Sequence, residues 1–214
     1  MNGSVELGEL SREACRCRYC FDHLGLKAPT IAIAQPRWVG PHYWESGKKI
    51  LVVLLNPGSG ESRKDGADER MYQKLLAFRD SQDVTLNEIF SDQLADMRNW
   101  GRGRFWRYFI DGIDLKINEV AFANVSWCAT SGNMYPLPML SQCFDRFRSR
   151  LAQILSPDIV LLCGSNTHRF KDKFESMLSN VKVFPILHYA HREGRQVEEQ
   201  EIQRIRKFLA LEIG

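Results

Sequence analysis

Residues 48–60 constrain the fold more than any other stretch. Ile50 to Leu55 are six consecutive apolar residues, and they run directly into Asn56, Pro57 and Gly58. A short run that is apolar at every position, rather than at alternate ones, fits a strand buried on both faces, as in a parallel sheet. Asn-Pro-Gly is a turn signal. Open α/β sheets bind ligands beyond the carboxyl ends of their strands. Asn56 is therefore placed where such folds do chemistry, and Gly58 and Gly60 leave room for a ligand to approach the backbone. A strand that simply ends in a turn is the plainer explanation of this stretch taken alone.

The pattern repeats along the chain. Residues 119–128 read as a second buried strand ending near Asn124, residues 156–164 as a third closing on Gly164, and residues 181–188 as a fourth ending at His188. Helical spacing separates them. Residues 69–79 carry Met71, Leu75, Leu76 and Phe78. Leu140, Phe144, Phe147, Leu151 and Ile154 mark a helix, residues 166–179 another, and Ile202, Ile205, Phe208 and Leu209 a C-terminal one. Alternating strands and helices predict an α/β protein: a three-layer α/β/α sandwich with a central, mainly parallel four-stranded sheet. A length of 214 residues suits a single domain over 1–214. The polar stretch around 80–110 reads as an insertion, helical in part. Residues 27–48, punctuated by Pro29, Pro36 and Pro41, read as a loop with a short strand.

Three of these strand ends carry polar side chains: Asn56, Asn124 and His188. Each alone is explained by a polar cap on a strand. Together, beside a glycine-rich turn, they predict a site. An amide pairs a donor with an acceptor and can read the edge of a base. A histidine can donate a hydrogen bond to an oxygen that gains charge. Arg63 and Lys64, just past the first strand, could hold phosphates, and a solvated loop explains them equally well. Arg98, Arg102, Arg104 and Arg107 interleave with Trp100, Phe105, Trp106 and Tyr108, a mixture suited to nucleic acid. For Phe105, Tyr108 and Phe109 inward packing is the stronger expectation.

Charge and cysteine content narrow the class. A net charge of +3 permits a nucleic-acid partner without demanding one. No apolar run reaches the length of a membrane span, and the first residues lack the pattern of a signal peptide. The chain is thus expected in the cytoplasm, without a membrane partner, as a monomer. In a reducing compartment six cysteines favour metal or redox use over disulfides. Cys17 and Cys20 have the C-x-x-C spacing that lets two thiolates share one metal or cluster. Arg16 and Arg18 beside them favour thiolates. Two incidental thiols remain the alternative, and Cys163 on a buried strand reads as a small core residue.

In their order these motifs resemble those of the uracil-DNA glycosylase superfamily, over roughly residues 17–211, and are closest to its iron–sulfur branch. The motifs are Cys17 and Cys20, then Asn124-Val-Ser-Trp-Cys128, then Cys143 on the following helix, then Phe184-Pro-Ile-Leu-His-Tyr-Ala190. The strand of residues 156–164 also resembles that family's "Pro-x-Ile-Ile-Val-x-Leu-Gly". Two departures stand out. The branch usually has an acidic residue in its first motif, where Leu55-Asn-Pro-Gly58 looks instead like the mismatch-specific uracil/thymine branch. The second motif has Tyr189 where proline is usual.

The resemblance implies a monofunctional DNA glycosylase that hydrolyses the N-glycosidic bond of a flipped-out uracil or modified pyrimidine. It implies catalytic roles for Asn56 and His188 and base recognition by Asn124, with Gly58 and Ser59 bordering the base. His191, Arg192 and Arg195 resemble the loop that enters the gap left by the flipped base. Cys17, Cys20, Cys128 and Cys143 are the implied ligands of a [4Fe–4S] cluster, with tetrahedral zinc as the alternative and Cys15 as a substitute for Cys17. Small residues after Asn56 would admit a base enlarged at C5, which would suit defence against modified phage DNA rather than base-excision repair. A non-catalytic DNA-binding protein of the same fold is the rival reading. A nucleotide-binding α/β enzyme unrelated to DNA is a more distant one.

Overall fold

A computed structural model describes residues 3–58, 66–81 and 83–213. In chain order the elements are α1 (Gly3–Arg16), α2 (Tyr19–Asp22), β1 (Ile50–Leu54), α3 (Ala67–Asp80), α4 (Leu86–Met97), α5 (Arg104–Trp106), β2 (Val120–Asn124), α6 (Leu137–Cys143), α7 (Ser149–Leu155), β3 (Ile159–Cys163), α8 (Ser165–His168), α9 (Lys171–Met177), β4 (Lys182–Ile186) and α10 (Arg195–Ile213). Wide π turns follow α5, at Arg107–Gly112, and α6, at Phe144–Arg148.

The sheet has the order β2-β1-β3-β4 and is parallel throughout, with Leu51 opposite Val160 and Leu161 opposite Phe184. Every residue of β1, β2 and β3 is buried, so helices cover both faces, as in a three-layer α/β/α fold. This is what continuous apolar runs dictate: in a strand successive side chains point to opposite faces, and both faces must be dry. Each fully buried Val, Leu or Ile stabilises the sheet by about 1.5–3 kcal/mol relative to exposure. β4 lies at the edge with its first residues open to solvent, and it tolerates Pro185 there because an edge strand can lack a donor.

The chain forms two compact units. The first comprises Met1–Arg37, Leu55–Asp92 and Ala123–Leu155. The second comprises Trp38–Leu54, Gln93–Phe122 and Ser156–Gly214 and holds the sheet, apart from the last two residues of β2. In the first unit α1 buries Leu7, Leu10, Ala14 and Cys15 along one face. Arg12 on that helix lies over the Phe78 ring and donates to the carbonyls of Phe78 and Ser81 at the end of α3, where a helix leaves its acceptors unpaired.

In the second unit residues 38–40 run antiparallel beside β2: Phe122 N–H donates to the Trp38 carbonyl at 2.8 Å and Gly40 N–H to the Val120 carbonyl at 3.0 Å. Any side chain at Gly40 would strike the Asn118 backbone, with a Cβ only 2.2 Å from its oxygen. Phe105, Phe109, Phe122 and Tyr189 form an aromatic cluster with ring centroids 4.8–6.0 Å apart.

Two helices differ from their expected form. The helix expected from Leu140 to Ile154 is interrupted by the π turn at Phe144–Arg148, and the one expected at 166–179 divides into α8 and α9, with Phe170 buried between them. Arg148, which closes that π turn, is buried.

Candidate active site

The first unit contains Asn56 and Asn124. Asn56 lies two positions beyond β1. Its Nδ2 donates to the Tyr135 hydroxyl and to Asn133 Oδ1 at 3.4 Å. Both amide hydrogens are thus directed at protein acceptors, and Oδ1 takes no protein donor among the described residues. Burial raises the Tyr135 hydroxyl above its ordinary pKa, against the contrary pull of Thr130, Asn56 and Arg37, so it stays protonated. Gly58 adopts a φ of 87°, in the left-handed region, and a Cβ there would meet no described atom.

Asn124 is the last residue of β2 and is 2% exposed, and its side-chain Nδ2 has no hydrogen-bond partner. An unsatisfied buried donor costs about 1–3 kcal/mol. The surrounding loop is held from several sides. Ser126 N–H donates to the Leu55 carbonyl at 2.9 Å, Gln35 N–H to the Trp127 carbonyl at 2.7 Å, and Arg148 Nη2 to the carbonyl of Asn124 itself.

The same unit gathers four thiols. Cys20, on α2, hydrogen-bonds with Cys128 and with Cys143 at the end of α6, and Cys17 lies within its electrostatic reach. The contact with Cys128, then burial, pushes the Cys20 thiol up to about 12. The contact with Cys20, then burial, raises Cys143, while the Trp127 backbone N–H and the Arg148 charge act to lower it. Arg146 Nη1 lies 3.8 Å from the Cys17 sulfur. Among the described residues no three potential ligands are arranged to hold one ion. The donor set itself, four soft sulfurs, suits an iron–sulfur cluster or zinc. Cys15 faces elsewhere: its thiol donates to the Ala34 carbonyl at 3.4 Å, and burial pushes it up to about 12. The neighbour of Cys20 is Cys17.

The second unit contains His188, two positions beyond β4. Ala190 N–H donates to its Nδ1 at 3.1 Å, so Nδ1 is an acceptor and the neutral ring carries its proton on Nε2. Burial first, and the nearby His191 second, hold the ring below its ordinary pKa, which keeps it neutral. The backbone beside it is pinned by long-range contacts. Glu201 Oε1 accepts Leu187 N–H at 2.8 Å, and the Tyr108 hydroxyl donates to the Leu187 carbonyl at 3.3 Å. The Cys163 thiol, buried in β3, donates to the same carbonyl at 3.6 Å. Tyr189 stacks on His188 at 4.6 Å and inserts into the aromatic cluster. Gly101 passes over the Tyr189 ring so closely that a Cβ would lie 2.7 Å from it.

His191, Arg192 and Arg195 line a groove of about 710 Å³ with Arg104, Arg107 and Glu198. The charges are mixed. Arg107 forms a two-pronged pair with Glu198 at 3.0 and 3.1 Å, and Arg195 pairs with Glu199 at 2.9 Å. His191 Nε2 is buried without a hydrogen bond, 4.0 Å from Glu198 Oε2. Phe105, Tyr108 and Phe109 are in the core, while Arg104 and Arg107 stay on the surface.

Sequence reasoning did not find Tyr135, Arg148 or Glu201, whose roles depend on contacts made far along the chain. Ser59, Gly60, Arg63 and Lys64 lie outside the described residues. No helix is long and apolar enough to cross a membrane among the described residues. No protein-family model matches the chain, and no curated protein matches it.

Proposed function

We propose that the protein is a monofunctional DNA glycosylase acting on uracil or a modified pyrimidine. The observation that carries the reading is the buried, unpartnered amide of Asn124 at the carboxyl end of a parallel strand. Open α/β folds take ligands at the carboxyl ends of parallel strands, and Asn56 and His188 come two residues beyond the carboxyl ends of β1 and β4. The motif order that resembles the uracil-DNA glycosylase superfamily supports the same conclusion.

In this mechanism the target nucleotide leaves the helix at a cost of a few kcal/mol. Asn124 pairs with the pyrimidine edge and satisfies its free Nδ2. A water held by Asn56 Oδ1 adds to C1′ as the C1′–N1 bond breaks; the bonding pair departs with the base, the water's proton is lost to solvent, and the pyrimidine anion takes up a proton from solvent on release. The His188 Nε2–H donates to the pyrimidine O2 as that charge grows. A neutral histidine suits this role, and both its hydrogen bond from Ala190 and its depressed pKa favour the Nε2–H form. His191, Arg192 and Arg195, with Arg104 and Arg107, would face the DNA backbone. Cys17, Cys20, Cys128 and Cys143 would hold a [4Fe–4S] cluster, or zinc, in a structural role tying α2 to the residues after β2.

Oligonucleotides carrying uracil, a thymine mismatch or a bulky C5-modified cytosine test the reading. Alkali-labile sites in one or more of them are expected. Activity on the C5-modified base would favour defence, and activity on uracil alone would favour repair. DNA binding with no cleavage on any substrate would leave a binding protein of this fold. Protein purified without oxygen should be brown and hold about four iron and four sulfide per chain if the centre is [4Fe–4S].

A further inference from the structure

The flip of the Asn56 amide decides what its outer end can hold, and the shape of the side chain does not set it. Oδ1 and Nδ2 are nearly the same size, so hydrogen-bond partners alone choose which of them faces inward. The backbone on both sides is fixed: Ser126 N–H donates to the Leu55 carbonyl at 2.9 Å, and Arg37 Nη2 to the Pro57 carbonyl at 3.0 Å. Asn133, 3.4 Å from Asn56, does not choose, because its own amide can turn to offer either a donor or an acceptor. A tyrosine hydroxyl is equally ambiguous unless its proton is committed elsewhere.

Thr130 commits it. This residue is 1% exposed, and its hydroxyl donates to the Met134 carbonyl at 2.6 Å. A carbonyl only accepts, so the Thr130 oxygen has only lone pairs left to offer. The Tyr135 oxygen hydrogen-bonds with both that hydroxyl and the Thr130 backbone N–H. The N–H only donates and takes one lone pair of the phenol. The phenol proton goes to the Thr130 oxygen. The one lone pair that remains on Tyr135 can only accept, so Asn56 must present its Nδ2 there, as it does. Oδ1 then faces away from the chain. All of these residues belong to the first unit.

We propose that Tyr135 and Thr130 are positioning residues: they form a one-way hydrogen-bond chain, anchored on the Met134 carbonyl, that holds Asn56 with Nδ2 inward and Oδ1 free to accept. The outer end of Asn56 is thereby an acceptor for a water or another O–H donor, and it is closed to ligands that must themselves accept. That this acceptor holds the attacking water rests on the glycosylase reading; the chain itself does not.

Four variants of the full chain test the chain of bonds: Tyr135→Phe, Thr130→Ser, Thr130→Val and the double variant Tyr135→Phe/Thr130→Val. The first readout needs no activity: the water exchange of the Asn56 side-chain amide protons by NMR, assigned by their loss in Asn56→Ala. The second is single-turnover excision of uracil, with DNA affinity measured alongside. Thr130→Val leaves the Tyr135 proton no taker but Asn56, so the amide turns over and Nδ2 faces out. Exchange should then quicken about 3- to 10-fold, and excision should slow about 10- to 100-fold at unchanged DNA affinity. Tyr135→Phe only releases the amide, and should slow excision about 2- to 10-fold. Thr130→Ser keeps the hydroxyl and should match the wild type in both readouts. The double variant removes the misdirected proton, so it should recover to the level of Tyr135→Phe. Wild-type exchange in Thr130→Val, or losses in the double variant that add to exceed both single variants, would overturn the proposal in favour of plain packing. Altered exchange with unaltered excision would overturn the link to the attacking water. If exchange follows the expected order and no protein, the wild type included, excises any base, the chain stands and the glycosylase reading fails.

Discussion

Gly164→Ala puts the support of His188 to a quantitative test. Gly164 has φ 95° and ψ 150°, a conformation that residues with a Cβ rarely adopt. Its N–H donates to the Ile186 carbonyl at 2.9 Å, so the backbone cannot relax without breaking the connection to β4. A Cβ at this position would lie 3.2 Å from His188 Cδ2 and 3.3 Å from its Cβ. The backbone cost alone is about 1–3 kcal/mol. For a protein of this size that lowers Tm by roughly 2–12 °C. The crowded imidazole must also move, and displacement of a reacting group by about 1 Å costs roughly 10²-fold in rate. Urea unfolding of Gly164→Ala, His188→Ala and the double variant separates the two effects. Backbone strain is additive with His188→Ala, whereas ring contact makes the double variant less destabilised than the sum. Stability within about 0.5 kcal/mol of wild type together with full excision activity would refute the argument, since ordinary surface changes fall in that range.

His188→Ala should slow single-turnover excision by about 10²–10³-fold with little change in DNA affinity, because its hydrogen bond strengthens only as the base leaves. Asn56→Ala should slow the same step, and Asn124→Asp should change which base is accepted; wild-type kinetics for both Ala variants would return the protein to a binding-only role. Glu201→Ala removes the acceptor of Leu187 N–H and the partner of Arg204, and should cost about 2 kcal/mol in urea denaturation, Arg204 being half exposed. The native pKa of His188 lies below the ordinary 6.5, so its contribution to stability is complete above pH 6.5 and is lost as pH falls from there toward the native value. A urea midpoint that falls with pH in this window for wild type, and flattens in His188→Gln, is expected; a rising midpoint would contradict it.

The strands were legible because parallel sheets demand runs such as Ile50–Leu55 and Ile159–Cys163, in which composition and burial are the same fact. Asn56, Asn124 and His188 could be read because strand ends follow from the runs. The α1 helix is weakly marked: Leu7, Leu10 and Ala14 carry its period, but Gly3 and Gly8 lower its helix propensity. Arg148 could not be found by pattern. It sits among apolar helix positions, and the carbonyl it meets lies 24 residues earlier in the chain, at the end of β2. Tyr135 lies in a loop without periodicity, and its bond to Asn56 joins positions 79 residues apart. Glu201 looks like any charged position of an amphipathic helix until its carboxylate meets the backbone of residue 187. Packing supplies these partners across the chain, and local chemistry does not announce them.

Tyr189 gives the histidine loop an adjustable anchor. A proline at this position would set the backbone by its own ring, and nothing elsewhere could alter it. Here the loop is held by an aromatic side chain seated among Phe105, Phe109 and Phe122 beneath Gly101. The reach of His188 is therefore tunable from residues 101–109, which carry no motif. A library confined to Gly101, Phe105 and Phe109 would search new base sizes while leaving every residue of the reacting set unchanged.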